Sequence, residues 1–174
     1  MKNKKIMLRT LCQVAMLVAL EIVLDRFCSI TTPVTRIGFA FIPMALCGML
    51  FGPVWAGAAY AVADLLGAAL FSYAVFPGIT IARIVAGVLY GLLLHRENLK
   101  FFPHIVLAAL ADQIVCTLAL MSLVLSFSTG TPFFKLLITR LPQAGIMFVM
   151  ELILFPALLQ LRKALRKARL IPAA

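Results

Sequence analysis

The sequence predicts an all-α integral membrane protein, a six-transmembrane-helix bundle folded as a single domain with both termini cytoplasmic. Three observations carry that expectation. The chain of 174 residues is 64% hydrophobic and 13% charged, against roughly 25% charged in soluble domains, and its mean hydropathy is +1.09. Its apolar runs are long and lack the period-two alternation of barrel strands, so the backbone must satisfy itself within helices. Finally, lysine and arginine gather at the ends of alternate runs, the pattern of cytoplasmic anchoring at anionic headgroups.

A crossing takes about 20 residues, fewer where lipid or protein adapts. The first span is expected at about 6–24. Lys2, Lys4 and Lys5 precede it as they would a signal peptide. However, the run is longer than a signal core, and residues 24–29 lack small residues at the spacing a cleavage site needs, so it is kept as a span. The second is expected at 37–51 and is the shortest. Gly52-Pro53 then makes a tight turn into the third, 54–71. The fourth, 79–94, follows Pro77-Gly78, and a polar loop from His95 to Lys100 leads to the fifth, 103–127, opened by Pro103. Ser128-Thr129-Gly130-Thr131-Pro132 breaks the chain before the sixth, 133–160.

Eleven of the sixteen basic residues form three clusters. These are Lys2, Lys4, Lys5 and Arg9; Arg96 and Lys100; and Arg162, Lys163, Arg166, Lys167 and Arg169. Six crossings put all three on one side, which the positive-inside rule makes cytoplasmic. The other five, Arg26, Arg36, Arg83, Lys135 and Arg140, fall in the outer half and require another explanation.

An arginine within hydrocarbon normally faces a cavity or a partner. Arg26, Arg36, Arg83 and Arg140 are therefore candidates for a cationic funnel, since a guanidinium fork binds carboxylate bidentately. The alternative is that each serves as counter-ion to Asp64, Asp112 or Glu151; Arg83 is within reach of Asp64 on the neighbouring span. Phe39, Phe41, Tyr73 and Phe76 suit stacking on a flat heterocycle, and Thr80, Gln113 and Gln143 offer donors and acceptors. The same aromatics also fit an interfacial belt. Ala15 and Ala19 form a small-xxx-small pair on the first span, as Gly57 and Ala61 do on the third, which suits close helix approach to a partner or within the bundle.

Several chemistries are excluded. The sequence has no GxxxxGK[ST] phosphate loop, HExxH, GxSxG or acidic calcium loop. Cys12, Cys28, Cys47 and Cys116 show no metal-ligand spacing and read as packing residues. The positive charge lies at span ends and does not point to nucleic acid. No inverted repeat is visible, which disfavours a self-sufficient transporter.

The segments Ile37-Gly38-Phe39-Ala40-Phe41-Ile42-Pro43, Gly48-Met49-Leu50-Phe51-Gly52-Pro53 and Ala61-Val62-Ala63-Asp64-Leu65-Leu66-Gly67 resemble the substrate-binding S components of energy-coupling factor (ECF) vitamin transporters. Phe76-Pro77-Gly78-Ile79-Thr80 and Thr139-Arg140-Leu141-Pro142-Gln143 resemble the folate-specific members.

The resemblance implies a six-helix bundle of the S-component type in a prokaryotic plasma membrane, with no cofactor of its own, that captures folate from outside. It also implies a transmembrane coupling subunit, contacted through Ala15 and Ala19, and two ECF ATPases, the only subunits to bind ATP. Arg26 and Arg140 are assigned to the folate carboxylates, Thr80, Gln113 and Gln143 to the pterin edge, and Phe39, Tyr73 and Phe76 to its rings. Arg83 departs from the small residue of folate members. Other vitamins, such as pantothenate or riboflavin, remain alternatives. The rival of another class is a small membrane enzyme using Asp64, Asp112 or Glu151.

Overall fold

The computed structural model describes residues 2–31, 36–71, 77–95 and 101–167, with side chains described for 7–29, 37–70, 77–95, 103–165 and 167. The elements in order are α1 (Lys2–Phe27), β1 (Ser29–Thr31), β2 (Arg36–Gly38), α2 (Phe41–Phe51), α3 (Pro53–Phe71), α4 (Pro77–Leu94), α5 (Phe101–Ala111), a π-helical segment (Asp112–Leu120), α6 (Met121–Thr129) and α7 (Phe133–Lys167).

Five helical stretches are long and apolar enough to cross a membrane; α5, the π segment and α6 form one of them without a break. The helix α2 is shorter, 11 residues, or about 16 Å at 1.5 Å per residue. Residues 37 and 38, expected to open that helix, instead belong to β2, which pairs antiparallel with β1 in the register Ser29↔Gly38, Ile30↔Ile37 and Thr31↔Arg36. The reason is local. β-branched Ile30, Thr31 and Ile37 favour extended backbone, and Pro43, which lacks an N–H to donate, costs least where it falls in the first helical turn. A helix starting at Phe41 meets that condition.

The surface is inverted relative to a soluble protein. Large apolar side chains such as Phe127, 84% exposed, and Val54, 79%, point outward, where lipid replaces water as solvent. The interior combines methionines and small residues with a few aromatics, including Met44, Cys47, Met49, Ala56, Tyr60 and Ala108. Phe155 makes edge contacts with Phe41 at 6.1 Å and with Tyr90 at 5.7 Å between ring centroids.

The central helix α4 packs on α2, α3, α5 and the π segment. Its closest approach lies at Gly91, where an added Cβ would sit 2.2 Å from Cα of Pro53. The chain turns there through Gly52, whose φ of +89° favours glycine. One end of the bundle is locked around this turn. Nη1 of Arg162 donates to the carbonyl of Leu94 at 3.0 Å and Nη2 to that of His95 at 2.8 Å, capping the carbonyl end of α4. The His95 ring meets the carbonyl of Met49 at 3.2 Å. Arg162, read from sequence as a headgroup anchor, is thus a buried helix cap.

Two outcomes follow for the thermal midpoint of the purified protein in detergent. Gly91→Ala should lower it, because the Pro53 backbone cannot yield cheaply and overpacking costs about 1–3 kcal/mol. Arg162→Ala should also lower it, by uncapping α4 inside the bundle. An unchanged midpoint in either variant contradicts the corresponding contact.

Candidate functional site

At the end of the bundle where α1 finishes and α4 and α7 begin, a cavity of about 300 Å³ opens between α1, α3, α4, the π segment, α6 and α7. Its polar lining comes chiefly from Glu21 and Asp25 of α1, Arg83 of α4, Asp112 of the π segment, and Arg140 and Gln143 of α7. Tyr60, Tyr90 and Phe41 add aromatic surface. The size lies at the lower end of small-ligand pockets, about 300–1,000 Å³.

Arg83 is the most heavily engaged of these groups. Its Nη1 donates to Oε1 of Glu21 at 3.0 Å. Nη2 lies 3.5 Å from Oδ1 of Asp25 and Nε 3.6 Å from Oδ1 of Asp64. Each guanidinium nitrogen thus faces a different carboxylate. Glu21 and Asp25, four residues apart, project from one face of α1, and Asp64 reaches across from α3. The Thr80 hydroxyl donates to the second oxygen of Asp64, so Thr80 completes this cluster. Between the two readings of Arg83, the geometry favours the counter-ion over the free anion receptor.

Deeper lies a second polar group. Nε2 of Gln113 donates to Oε1 of Glu151 at 2.7 Å and to Oδ2 of Asp112 at 3.3 Å. The Tyr90 hydroxyl donates to the same Glu151 oxygen at 3.4 Å. The donors of Gln113 are therefore engaged inside the bundle, and it is Asp112 beside it that lines the cavity. The π geometry adds a residue to the helical turn, and such segments frequently mark functional sites. Here it buries Asp112, Gln113 and Cys116 together.

Arg140 contrasts with Arg83. It is buried about two turns into α7, lines the cavity, and its Nε has no hydrogen-bond partner among the described residues. Gln143 lines the cavity one turn further on.

The structure thus brings Arg83, Arg140 and Gln143 together around the cavity, with Thr80 and Gln113 one contact behind it. Arg26 is half-buried in the last turn of α1 and does not line the cavity. Phe39 sits between β2 and α2, 41% exposed, also away from the lining. Arg36 pairs with Thr31 in the hairpin, and its side chain lies outside the described ones. Tyr73 and Phe76 lie outside the described residues. Glu21, Asp25, Tyr60 and Tyr90 were not singled out from the sequence. For Glu21 and Asp25 the signal was present: two acids four residues apart at the end of an apolar span.

On the lipid-facing side, Ala15 and Ala19 lie in an apolar groove of about 570 Å³ between α1 and α3, with Trp55, Ala58 and Val62 opposite.

A membrane-embedded helical bundle with a polar cavity near one end defines a multi-pass solute-binding membrane protein. Comparison with known proteins narrows the class. The chain matches the model of the ECF transporter substrate-specific component over residues 9–159, and it belongs to that family. It is therefore a substrate-binding component of a transporter and not an enzyme. It is 39% identical over 135 residues to the folate transporter FolT of Clostridium novyi strain NT, across 77% of this chain and 78% of that one. To the folate transporter FolT of Leuconostoc mesenteroides it is 33% identical over 91 residues, 52% of this chain and 45% of that one. Among solved structures it is similar to FolT bound with folic acid, at TM-score 0.77 and 33% identity, covering 83% of this chain and 89% of that one. It shares its fold with an S-component for biotin at TM-score 0.67, 22% identity and 94% of both chains.

Removing Arg83 should leave three acidic groups facing one another, and deleting one partner of a buried ion pair typically costs about 3–5 kcal/mol. Arg83→Ala should therefore lower the thermal midpoint sharply, and adding Asp64→Asn should recover part of the loss. Additive losses in the double variant would show that the cluster does not act as a unit.

Proposed function

We propose that this protein is the folate-capture subunit of an ECF-type importer, with Arg140 as an anchor for the carboxylate end of the ligand. The observation that carries the anchor is a buried guanidinium on the cavity wall with one nitrogen unengaged. Buried arginines rarely leave a donor unmade. The likeness to folate transporters supplies the ligand, whose glutamate carboxylates suit a guanidinium fork. The sequence assignment of Arg26, Arg36, Phe39, Tyr73 and Phe76 to the same ligand stands as part of this proposal.

The chain crosses the membrane six times as one domain, α2 being the short crossing, with both termini and all three basic clusters cytoplasmic. The cavity then opens outward. Ala15 and Ala19 contact the transmembrane coupling subunit, two ATPases supply the energy by binding ATP, and the assembly resides in a prokaryotic plasma membrane. The small residues and apolar floor of the groove along α1 and α3 fit close helix approach by such a subunit.

Isothermal titration of the purified protein should give tight folate binding and no comparable heat from riboflavin or pantothenate; the reverse pattern would sink the ligand assignment. Arg140→Ala should weaken folate by roughly 10- to 100-fold, the value of a charge-assisted contact of about 1.5–3 kcal/mol. A pterin without the aminobenzoylglutamate tail should lose far less. Equal losses would remove the carboxylate role.

Topology has its own test. In a background without native cysteines, Thr129→Cys should react with an impermeant maleimide on intact cells, and Lys163→Cys only after permeabilisation. The opposite labelling would invert the orientation.

A further inference from the structure

The inner wall of the cavity holds a recognition element of opposite sign to Arg140. Asp112 lines the cavity and is 8% exposed. One of its oxygens, Oδ2, accepts from Gln113, while Oδ1 is buried and has no hydrogen-bond partner among the described residues. Its setting is built. Gln113 bridges Asp112 to Glu151, and Tyr90 fixes Glu151 from the α4 side. Tyr90, Glu151 and Cys116 also lie against the carboxyl group, and Oδ1 is its oxygen left without a hydrogen bond among the described residues. Buried polar atoms in folded proteins are almost always partnered, by protein, water or ligand.

Position along the bundle adds a second constraint. Glu151, bridged to Asp112 by one amide, and Arg140 both lie on α7, residues 140 and 151 of the same helix. Their separation is about 16 Å at 1.5 Å per residue. The carboxylate that Gln113 ties to Asp112 thus lies about three turns along α7 from Arg140, and Asp112 and Arg140 both line the cavity, a pairing that suits a solute with hydrogen-bond donors at one end and a carboxylate at the other.

We propose that Asp112 is the specificity-determining residue for the heterocyclic end of the ligand. Its carboxyl group accepts from the adjacent ring N–H and amino group of a 2-amino-4-oxo heterocycle, while Arg140 holds the far carboxylate. Gln113, Glu151 and Tyr90 act as positioning residues. This inference rests on the folate reading and changes its chemistry. A carboxylate matches two neighbouring donors as it matches a guanidinium fork. A side-chain amide offers one acceptor beside one donor and does not.

The test is a ligand–variant cycle by isothermal titration, using folic acid and its 2-desamino analogue against wild type and Asp112→Asn. Wild type should prefer folic acid by about tenfold or more, and Asp112→Asn should abolish most of that preference. A merely structural role would weaken both ligands alike and leave the ratio intact, which would overturn the proposal. Asp112→Ser provides a second variant read by the same ratio. A ligand-bound structure supplies a check independent of variant folding: the amino edge lying away from Asp112 would overturn the proposal, and contact with it would support it. If wild type does not bind folic acid, the folate reading fails and takes this inference with it. If wild type binds folic acid but the ratio is unaltered, only the role of Asp112 fails.

Discussion

Arg83 and the three carboxylates around it set the geometry on which the cavity depends. An isolated guanidinium inside a bilayer is expensive, and so is an isolated carboxylate, so neither Arg83 nor Glu21, Asp25 and Asp64 can remain apart once the helices insert. Satisfying them requires α1, α3 and α4 to converge near the cavity end. Close contact between α3 and α4 is permitted lower down by Gly87, where an added Cβ would lie 2.7 Å from the carbonyl oxygen of Ala56. Small residues allow the approach, and the charges fix which helices approach and in what register. The opposite end is held by a different device, Arg162 on the carbonyls of Leu94 and His95. With α4 tied at both ends, a cavity is left between it and α7.

The interior network serves a related constraint. In water, Asp112, Gln113, Glu151 and Tyr90 would be solvated individually. In the membrane they turn to one another, with Asp112 Oδ1, Gln113 Oε1 and Glu151 Oε2 left without a hydrogen-bond partner among the described residues, and the π segment brings the first two to the interior together. A regular α-helix would advance about 100° between consecutive residues; the wider π turn reduces that step, so two adjacent polar residues share the buried face.

Much of this architecture was legible from the chain. Apolar run lengths located the helices because in lipid the backbone must satisfy itself, and Pro77 and Gly52-Pro53 marked the starts of α4 and α3, whereas Pro142 and Pro156 lie inside α7 without ending it. The start of α2 was misplaced by about one turn, because Ile37 and Gly38 continue an apolar run whose hydropathy does not distinguish strand from helix. The π segment had no sequence signal at all, since no proline or glycine marks it. Site residues divided along the same line. Arg140 stood out as a misplaced charge, and Arg83 did too, but its role depended on whether acids on other helices could reach it. The periodicity of α1 placed Glu21 and Asp25 on one face without saying which neighbour that face would meet. Gln113 was chosen for its amide and Asp112 treated as a counter-charge; the fold places Asp112 on the cavity wall and turns the Gln113 donor to Asp112 and Glu151, an arrangement that only three-dimensional contacts show.

The two buried arginines also explain how an acid-lined cavity remains compatible with an anionic solute. Arg83 is engaged on three sides by Glu21, Asp25 and Asp64, so it has little left to offer a carboxylate of the solute. Arg140 stands on α7, across the cavity from α1, with no carboxylate recorded as its partner among the described residues. On the proposed reading an anionic group lies on the α7 side and a donor-bearing group against Asp112. The asymmetry orients an elongated molecule without a specific contact to its middle, because reversing it would set carboxylate against carboxylate in a medium where screening is weak. The two arginines thus stand in opposite settings: Arg83 is faced by three protein carboxylates, while Arg140, on the cavity wall, keeps its Nε without a hydrogen-bond partner among the described residues.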